Sequence, residues 1–268
     1  MLSKRIFCTA LLIVLITALT GCLPAPGSKS RRVSTGNDLN STDAGTKAYL
    51  NLAAALLLQN EYTMALKELE KAQKTDPVNV DLENYFGLAY YGLAEYDLAE
   101  ASFTKALEMR SARADIRNNL GLTYLAKKQY DKALAEFTTS SNDLSYQKKY
   151  LPMTNIGLTY LEMGRYDEAL SALEKSIKTA PDYAKAYQLT GRVYLAKGQP
   201  NDALDYLNNA ARLNPGDTDT YMSLGETFTS LGRIHEAAEA YGRVANLNPN
   251  TPTAMEAQKK ARRLMGFE

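Results

Sequence analysis

The chain has 268 residues, with 31 Lys and Arg against 30 Asp and Glu, a net charge of +1, one histidine, two cysteines and no tryptophan. A balance so close to neutral lacks the electrostatic footprint of a nucleic-acid binder. No Cys/His cluster has metal-ligand spacing.

The first predicted element is an export signal. Lys4 and Arg5 give a short basic start, and residues 6–19, IFCTALLIVLITAL, are almost wholly apolar. This run is shorter than the roughly 20 residues of a spanning helix. A basic start, a short apolar core and small residues at its end describe a signal peptide, residues 1–21. The segment ends in Leu19-Thr20-Gly21-Cys22, which resembles the Leu-x-Gly-Cys lipobox of bacterial lipoproteins. The resemblance implies cleavage before Cys22 and acylation of its sulfur and new amine. An ordinary secreted protein with a stray cysteine is the alternative. Cys8 leaves with the signal, so Cys22 has no partner for a disulfide. One acyl chain anchors only marginally, at about 0.8 kcal/mol per buried CH₂, whereas a lipobox cysteine carries several. By the same resemblance, the absence of Asp after Cys22 favours the outer membrane, on its periplasmic face.

Residues 22–45 continue as LPAPGSKSRRVSTGNDLNSTDA after the cysteine, rich in Pro, Gly, Ser, Thr and Asn and without apolar periodicity. This is expected to be a flexible tether with a reach of roughly 25 Å.

From residue 46 to 250 the chain repeats. Gly87, Gly121, Gly157, Gly191 and Gly225 are spaced by 34, 36, 34 and 34 residues, and Ala53 lies 34 before the first. Ala65, Ala99, Ala133, Ala169, Ala203 and Ala237 form a parallel series. Tyr90, Tyr124, Tyr160, Tyr194 and Phe228 follow each glycine by three residues, and Pro77, Pro181, Pro215 and Pro249 close four of the repeats. Glycine inside a helix costs about 1 kcal/mol relative to alanine, so its recurrence implies a recurring gain: close approach of two helices. The aromatics share the glycine face and are placed to fill the space between repeats, and proline stops the second helix. Neither helix covers its apolar face alone, so neighbouring repeats must. The pattern resembles the tetratricopeptide repeat, aromatic-x-x-Leu-Gly-x-x-Tyr, Ala-x-x-x-Phe, Pro. It implies an all-α, right-handed superhelical solenoid of six helix-turn-helix repeats. One interval is stretched by two residues, around SSNDLSYQKKYLP, and Ser111 and Ser145 replace the closing proline of repeats 2 and 3. A tolerated longer turn and a functional irregularity are the two readings.

Residues 251–268 are expected to form a capping helix, with Ala254, Ala257, Ala261 and Leu264 on one face and Lys259, Lys260, Arg262 and Arg263 largely off it. The basic cluster reads as a solvated face near a helix C-terminus. No catalytic constellation and no cofactor site is found. His235 has the position of an exposed surface histidine, and no glycine loop suits a phosphate. The expectation is a non-enzyme and a monomer.

The tetratricopeptide resemblance places partner binding on the concave side, at the second, fifth, ninth, twelfth and thirteenth positions of each repeat's first helix. Carried onto this chain, the groove candidates are Leu50, Ala54, Leu57, Asn84, Leu88, Tyr91, Asn118, Leu122, Leu125 and Leu158. Lys47, Leu58, Asp81, Gly92, Asp115, Ala126, Leu151, Thr154, Leu161 and Glu162 complete repeats 1 to 4. Repeats 5 and 6 turn polar, with Lys185, Gln188, Arg192, Asp219 and Glu226. The ninth positions of repeats 1 to 4 are Ala or Leu, so the Lys/Asn pattern that holds a terminal carboxylate in some family members is absent. An apolar groove flanked by asparagines suits an amphipathic helix or an extended apolar peptide, with the asparagines free to hold partner backbone groups. The alternative is that the leucines merely pack one repeat on the next.

Six repeats behind a lipobox, ENYFGLAYYGLAEYDLAEASFTKAL and RNNLGLTYLAKKQYDKALAEF in repeats 2 and 3, and the stretched SYQKKYLPMTNIGLTYLEMGRYDEA resemble the pilotins of type IV pilus systems, the PilF, PilW and Tgl group. The resemblance implies an outer-membrane lipoprotein that helps a secretin reach that membrane and multimerise. An envelope scaffold recruiting peptidoglycan hydrolases or other periplasmic proteins is the alternative, and a barrel-assembly factor a third.

Overall fold

The computed structural model describes residues 44–267, so Cys22, the signal and residues 22–43 of the tether lie outside the described residues. Within them every regular element is a helix. In chain order these are α1 (Ala44–Leu58) and α2 (Tyr62–Thr75), α3 (Val80–Gly92) and α4 (Tyr96–Met109), α5 (Ala114–Ala126) and α6 (Tyr130–Asn142), α7 (Tyr150–Glu162) and α8 (Tyr166–Thr179), α9 (Ala184–Ala196) and α10 (Pro200–Leu213), α11 (Thr218–Ser230) and α12 (Ile234–Leu247), then α13 (Pro252–Leu264). Six helix pairs plus one are the solenoid that the repeat implies. Each of the helices α3, α5, α7 and α9, a helix A, packs on its own helix B, on the preceding helix B and on the next helix A. The B helices are held apart from one another, so the array curves with its A helices inside. One boundary differs from expectation. Ala44 and Gly45 belong to α1, because an exposed Ala at a helix start carries no apolar signal yet favours the helix.

The glycine series is explained by one large side chain per repeat. A Cβ built on Gly87 would lie 2.5 Å from Phe103, on Gly121 2.6 Å from Phe137, on Gly157 2.5 Å from Leu173, on Gly191 2.5 Å from Leu207, and on Gly225 2.5 Å from Tyr241. Each partner stands four residues after the alanine of its own helix B, and alanine and partner alike are buried. Burial of such a side chain contributes about 1.5–3 kcal/mol, which offsets the helix cost of the glycine. Tyr90 packs on the apolar clusters of two successive repeats, and Phe228 does the same farther along. These are the inter-repeat contacts expected of that series.

The turns obey the same period. Pro77, Pro181, Pro215 and Pro249 each stand two residues past the end of a helix B, and the residue before each has left the helical region, with φ of −145°, −140°, −135° and −135°. Between helix A and helix B the backbone turns left-handed, at Asn60, Ala94 and Lys128 and then at Gly164, Gly198 and Gly232. At Ala94 (φ 61°) the turn is closed by the Glu95 N–H donating to the Tyr90 carbonyl at 2.9 Å, five residues back, a Schellman closure of the helix end. In the stretched interval α6 is one residue shorter than most B helices, and the connection 143–149 replaces a four-residue one. Asp143 Oδ1 accepts from the Ser145 N–H and hydroxyl at 2.8 and 2.7 Å. The loop brings Tyr146 to half-burial, and burial, helped by Asp115, pushes its phenol up to about 12.

Helix α13 is a seventh helix A. It packs on α12 through Ala254 and Ala257, both buried, with Ala261 and Leu264 beside them. Its end turns left-handed at Gly266 (φ 77°), and the Phe267 N–H donates to the Arg262 carbonyl at 2.9 Å, as in the true repeats. Lys259 stands where the repeats have glycine, and Arg262 where they have an aromatic. The face of α13 that corresponds to the helix B side of the repeats is thus basic. A hollow of about 760 Å³ lies on that face, lined by Met255, Gln258, Lys259, Arg262, Arg263, Gly266 and Phe267. Lys259 narrows the close approach that glycine allows at the same position of the repeats.

Candidate functional site

The concave groove is built by the A helices, and its character changes along the array. At its N-terminal end Ala54, Leu57, Leu58, Tyr62, Tyr85, Leu88, Tyr91 and Gly92 line one open cleft of about 410 Å³. Four groove candidates, Ala54, Leu57, Leu88 and Tyr91, meet there. Leu57 and Leu88 rest on the core with one flank and face the cleft with the other, while Leu58 is 87% exposed. The same side chain thus both packs one repeat on the next and lines the cleft.

Tyr62 and Tyr85 are the cleft residues that the groove positions do not contain, Tyr85 from helix A and Tyr62 from helix B. The Tyr62 ring lies so close over Gly92 that any Cβ there would collide with it, and its hydroxyl donates to Asn60 Oδ1 at 2.7 Å. The period could have found it: Tyr62, Tyr96, Tyr130 and Tyr166 recur at 34, 34 and 36 residues. The Tyr91 and Tyr96 rings sit 5.7 Å apart at 58°. Burial pushes the Tyr91 phenol up, and the neighbouring Tyr96 and Tyr62 phenols add to this.

Three candidates occupy other places. Leu50 is only 8% exposed and belongs to the core of repeats 1 and 2, with Ala53, Leu69 and Phe86. Asn84 and Asn118 are 5% and 6% exposed. Asn119 Nδ2 donates to Asn84 Oδ1 at 3.2 Å, and Asn155 Nδ2 donates to Asn118 Oδ1 at 2.9 Å. The expectation that these asparagines stand free for partner backbone groups is corrected: they join repeat 2 to repeat 3 and repeat 3 to repeat 4. A buried amide must be paired, and the next repeat supplies the partner one position along. Leu122, Leu125 and Leu158 are half-buried and continue the apolar floor beyond the cleft.

The rim is held by charge. Arg113 grips Asp115 with two hydrogen bonds, of 2.9 and 2.8 Å, and Asp81 with a third of 2.8 Å. These bonds raise the Arg113 pKa further. Burial alone would push the Asp115 carboxyl up, but its bonds to Arg113 win and hold it below the usual range. Farther along, Lys185 pairs with Asp219 at 3.1 Å, and Lys260 with Glu226 at 2.9 Å.

Among the described residues, no group of three or more His, Cys, Asp or Glu could hold a metal ion, and no helix is long and apolar enough to cross a membrane. His235 is exposed. The arrangement is a shaped surface with an apolar cleft, the form of a docking protein built from stacked helical hairpins.

Family comparison agrees. Tetratricopeptide repeat profiles match residues 46–79, 86–140, 150–215 and 194–260. The chain belongs to the tetratricopeptide repeat family, whose repeats serve protein–protein interaction. No curated protein matches the sequence. Among solved structures it is similar to PilW, a "widely conserved type IV pilus biogenesis factor", with 22% identity over 80% of this chain and 98% of that one and a TM-score of 0.69. It is similar to Pseudomonas aeruginosa PilF, with 21% identity over 82% and 100% of the two chains and a TM-score of 0.65. A tetratricopeptide repeat protein of Parabacteroides merdae aligns at 17% identity over 81% and 84%, with a TM-score of 0.68. At these identities the likeness is one of fold.

Proposed function

We propose that the chain is a pilotin of a type IV pilus system, a lipoprotein anchored at Cys22 to the periplasmic face of the outer membrane. It binds a secretin through the concave face and promotes the secretin's arrival and multimerisation there. The apolar cleft of repeats 1 and 2 carries this reading, since an open cavity lined by leucine and tyrosine is a docking feature rather than a packing one. The near full-length likeness in fold to PilW, a type IV pilus biogenesis factor, and to PilF supports the choice of a pilus system. An anchored array of interaction repeats acts by holding a client beside one membrane. The test is co-purification of the secretin with the wild-type chain and with Leu57→Ser/Leu88→Ser. Both side chains are only half-buried, so the double variant should keep its helicity and lose the secretin. Retention of the secretin at wild-type levels would remove the cleft from the account.

A further inference from the structure

The junction of repeats 3 and 4 leaves a hollow of about 380 Å³ on the side of the array away from the cleft. Its walls are α6 and α8, both B helices, and its floor is Met153, Ile156 and Tyr160 of α7. The repeat period shows why it is open. Between repeats 2 and 3, three places are filled by Leu107, Arg117 and Glu136, and between repeats 4 and 5 by Ile177, Tyr187 and Tyr206. Leu107 packs on the core cluster of Leu120, and Arg117 reaches Glu136 at 2.9 Å. Between repeats 3 and 4 the same places hold Ser141, Met153 and Ala172. Farther along, Ala211 and Ala240 are as small, but there Arg243 lies over the Tyr221 ring at 5.1 Å. The consequence falls on Ile156. Its counterparts Phe86, Leu120, Thr190 and Leu224 are at most 7% exposed, whereas Ile156 is only half-buried. The shortened α6 and the stretched connection 143–149 lie at this same junction. The rim is cationic. Glu168, the carboxylate of the hollow, is already held by Arg165 at 2.9 and 2.7 Å. Lys175 is exposed, and the hollow has no other carboxylate to pair with it.

We infer that this hollow is a second docking site, which takes a large apolar side chain of a partner protein with a carboxylate beside it. The partner supplies from outside the side chain that Leu107 and Ile177 supply at the neighbouring junctions, and covering Ile156 removes apolar surface from water. The carboxylate pairs with Lys175 in a charge-assisted hydrogen bond. A volume of about 380 Å³ is near the low end for ligand sites, and Thr138, Asn142 and Ser171 leave its mouth exposed. It therefore suits side chains of a docked surface rather than an enclosed small molecule. Its walls are B helices, so it is independent of the cleft between the A helices. Two surfaces set back to back let one chain hold two proteins at once, and the stretched interval gains a function as the place where the second one seats.

The test is selection from a random peptide library on the full-length chain, followed by binding of the selected peptides to its Ser141→Leu, Lys175→Glu and Leu57→Ser/Leu88→Ser variants. Ser141→Leu puts back the side chain found one repeat earlier, so it should fill the hollow and keep or raise the thermal midpoint. One class of selected peptides should carry Asp or Glu close to Leu, Met or Phe. That class should bind Ser141→Leu about tenfold more weakly or worse, lose affinity for Lys175→Glu, and bind Leu57→Ser/Leu88→Ser unchanged. Selection repeated on Lys175→Glu should replace the acidic residue with Lys or Arg. If no peptide is selected, or every selected peptide binds Ser141→Leu as tightly as the wild type, the inference falls, while the cleft reading is judged separately by Leu57→Ser/Leu88→Ser. A lowered midpoint for Ser141→Leu would overturn it as well, by showing that the hollow has no room. A concentration-dependent dimer that Ser141→Leu abolishes would also overturn it, because a second copy of the chain would then be the occupant.

Discussion

Gly121→Ala tests the packing logic of the repeat at one atom. The added Cβ would lie 2.6, 2.7 and 3.0 Å from Cε1, Cδ1 and Cζ of Phe137. Carbon atoms prefer about 3.5–4.0 Å, so the ring or the helix must give by about 0.9 Å. Phe137 is fully buried and cannot swing into solvent. Forcing a methyl group into such a place costs about 1–3 kcal/mol, while alanine gains about 1 kcal/mol of helix propensity over glycine. The clash wins by about 1 kcal/mol. Gly242→Ala is the matched control: Gly242 lies within α12 and a Cβ there meets nothing within 4 Å, so the full propensity gain remains, about 1 kcal/mol. Urea unfolding followed by far-ultraviolet circular dichroism should move the midpoint down for Gly121→Ala and up for Gly242→Ala. A Gly121→Ala protein at least as stable as the wild type would refute the socket explanation of the glycine series.

Two further outcomes follow from other parts of the chain. Cys22→Ala should leave the repeat domain folded but shift it from the membrane to the soluble fraction, and unchanged partition with membranes would contradict the anchor. Asp115 is depressed by its bonds to Arg113, so the stability it contributes is present above the unfolded carboxyl pKa of about 3.9 and is lost as pH falls through the lower folded value. Arg113→Ala should raise the Asp115 pKa, followed by carboxyl-carbon NMR, and an unmoved titration would show that the bidentate pair is not its cause.

The array was legible because its period repeats each physical demand. Gly87, Gly121 and Gly225 announce a close approach, the prolines announce helix ends, and Ala254, Ala257, Ala261 and Leu264 announce a helix with one covered face. The groove was legible only in part, since a position on a helix does not say what the next repeat brings to it. Asn84 and Asn118 stand at groove positions, yet Asn119 and Asn155 reach them first. Leu50 stands at another, and Leu69 and Phe86 bury it. Tyr62 enters the cleft from the other helix of the hairpin, outside any rule for helix A.

We propose that this docking surface serves secretin assembly at the outer membrane. The most direct measurement is the level of secretin multimers on a gel in cells that lack the gene, with and without a plasmid copy. The account predicts that multimers fall on deletion, return with the wild-type chain, and stay low with Leu57→Ser/Leu88→Ser. Multimers unchanged by deletion would contradict it and would favour a scaffold for other envelope proteins.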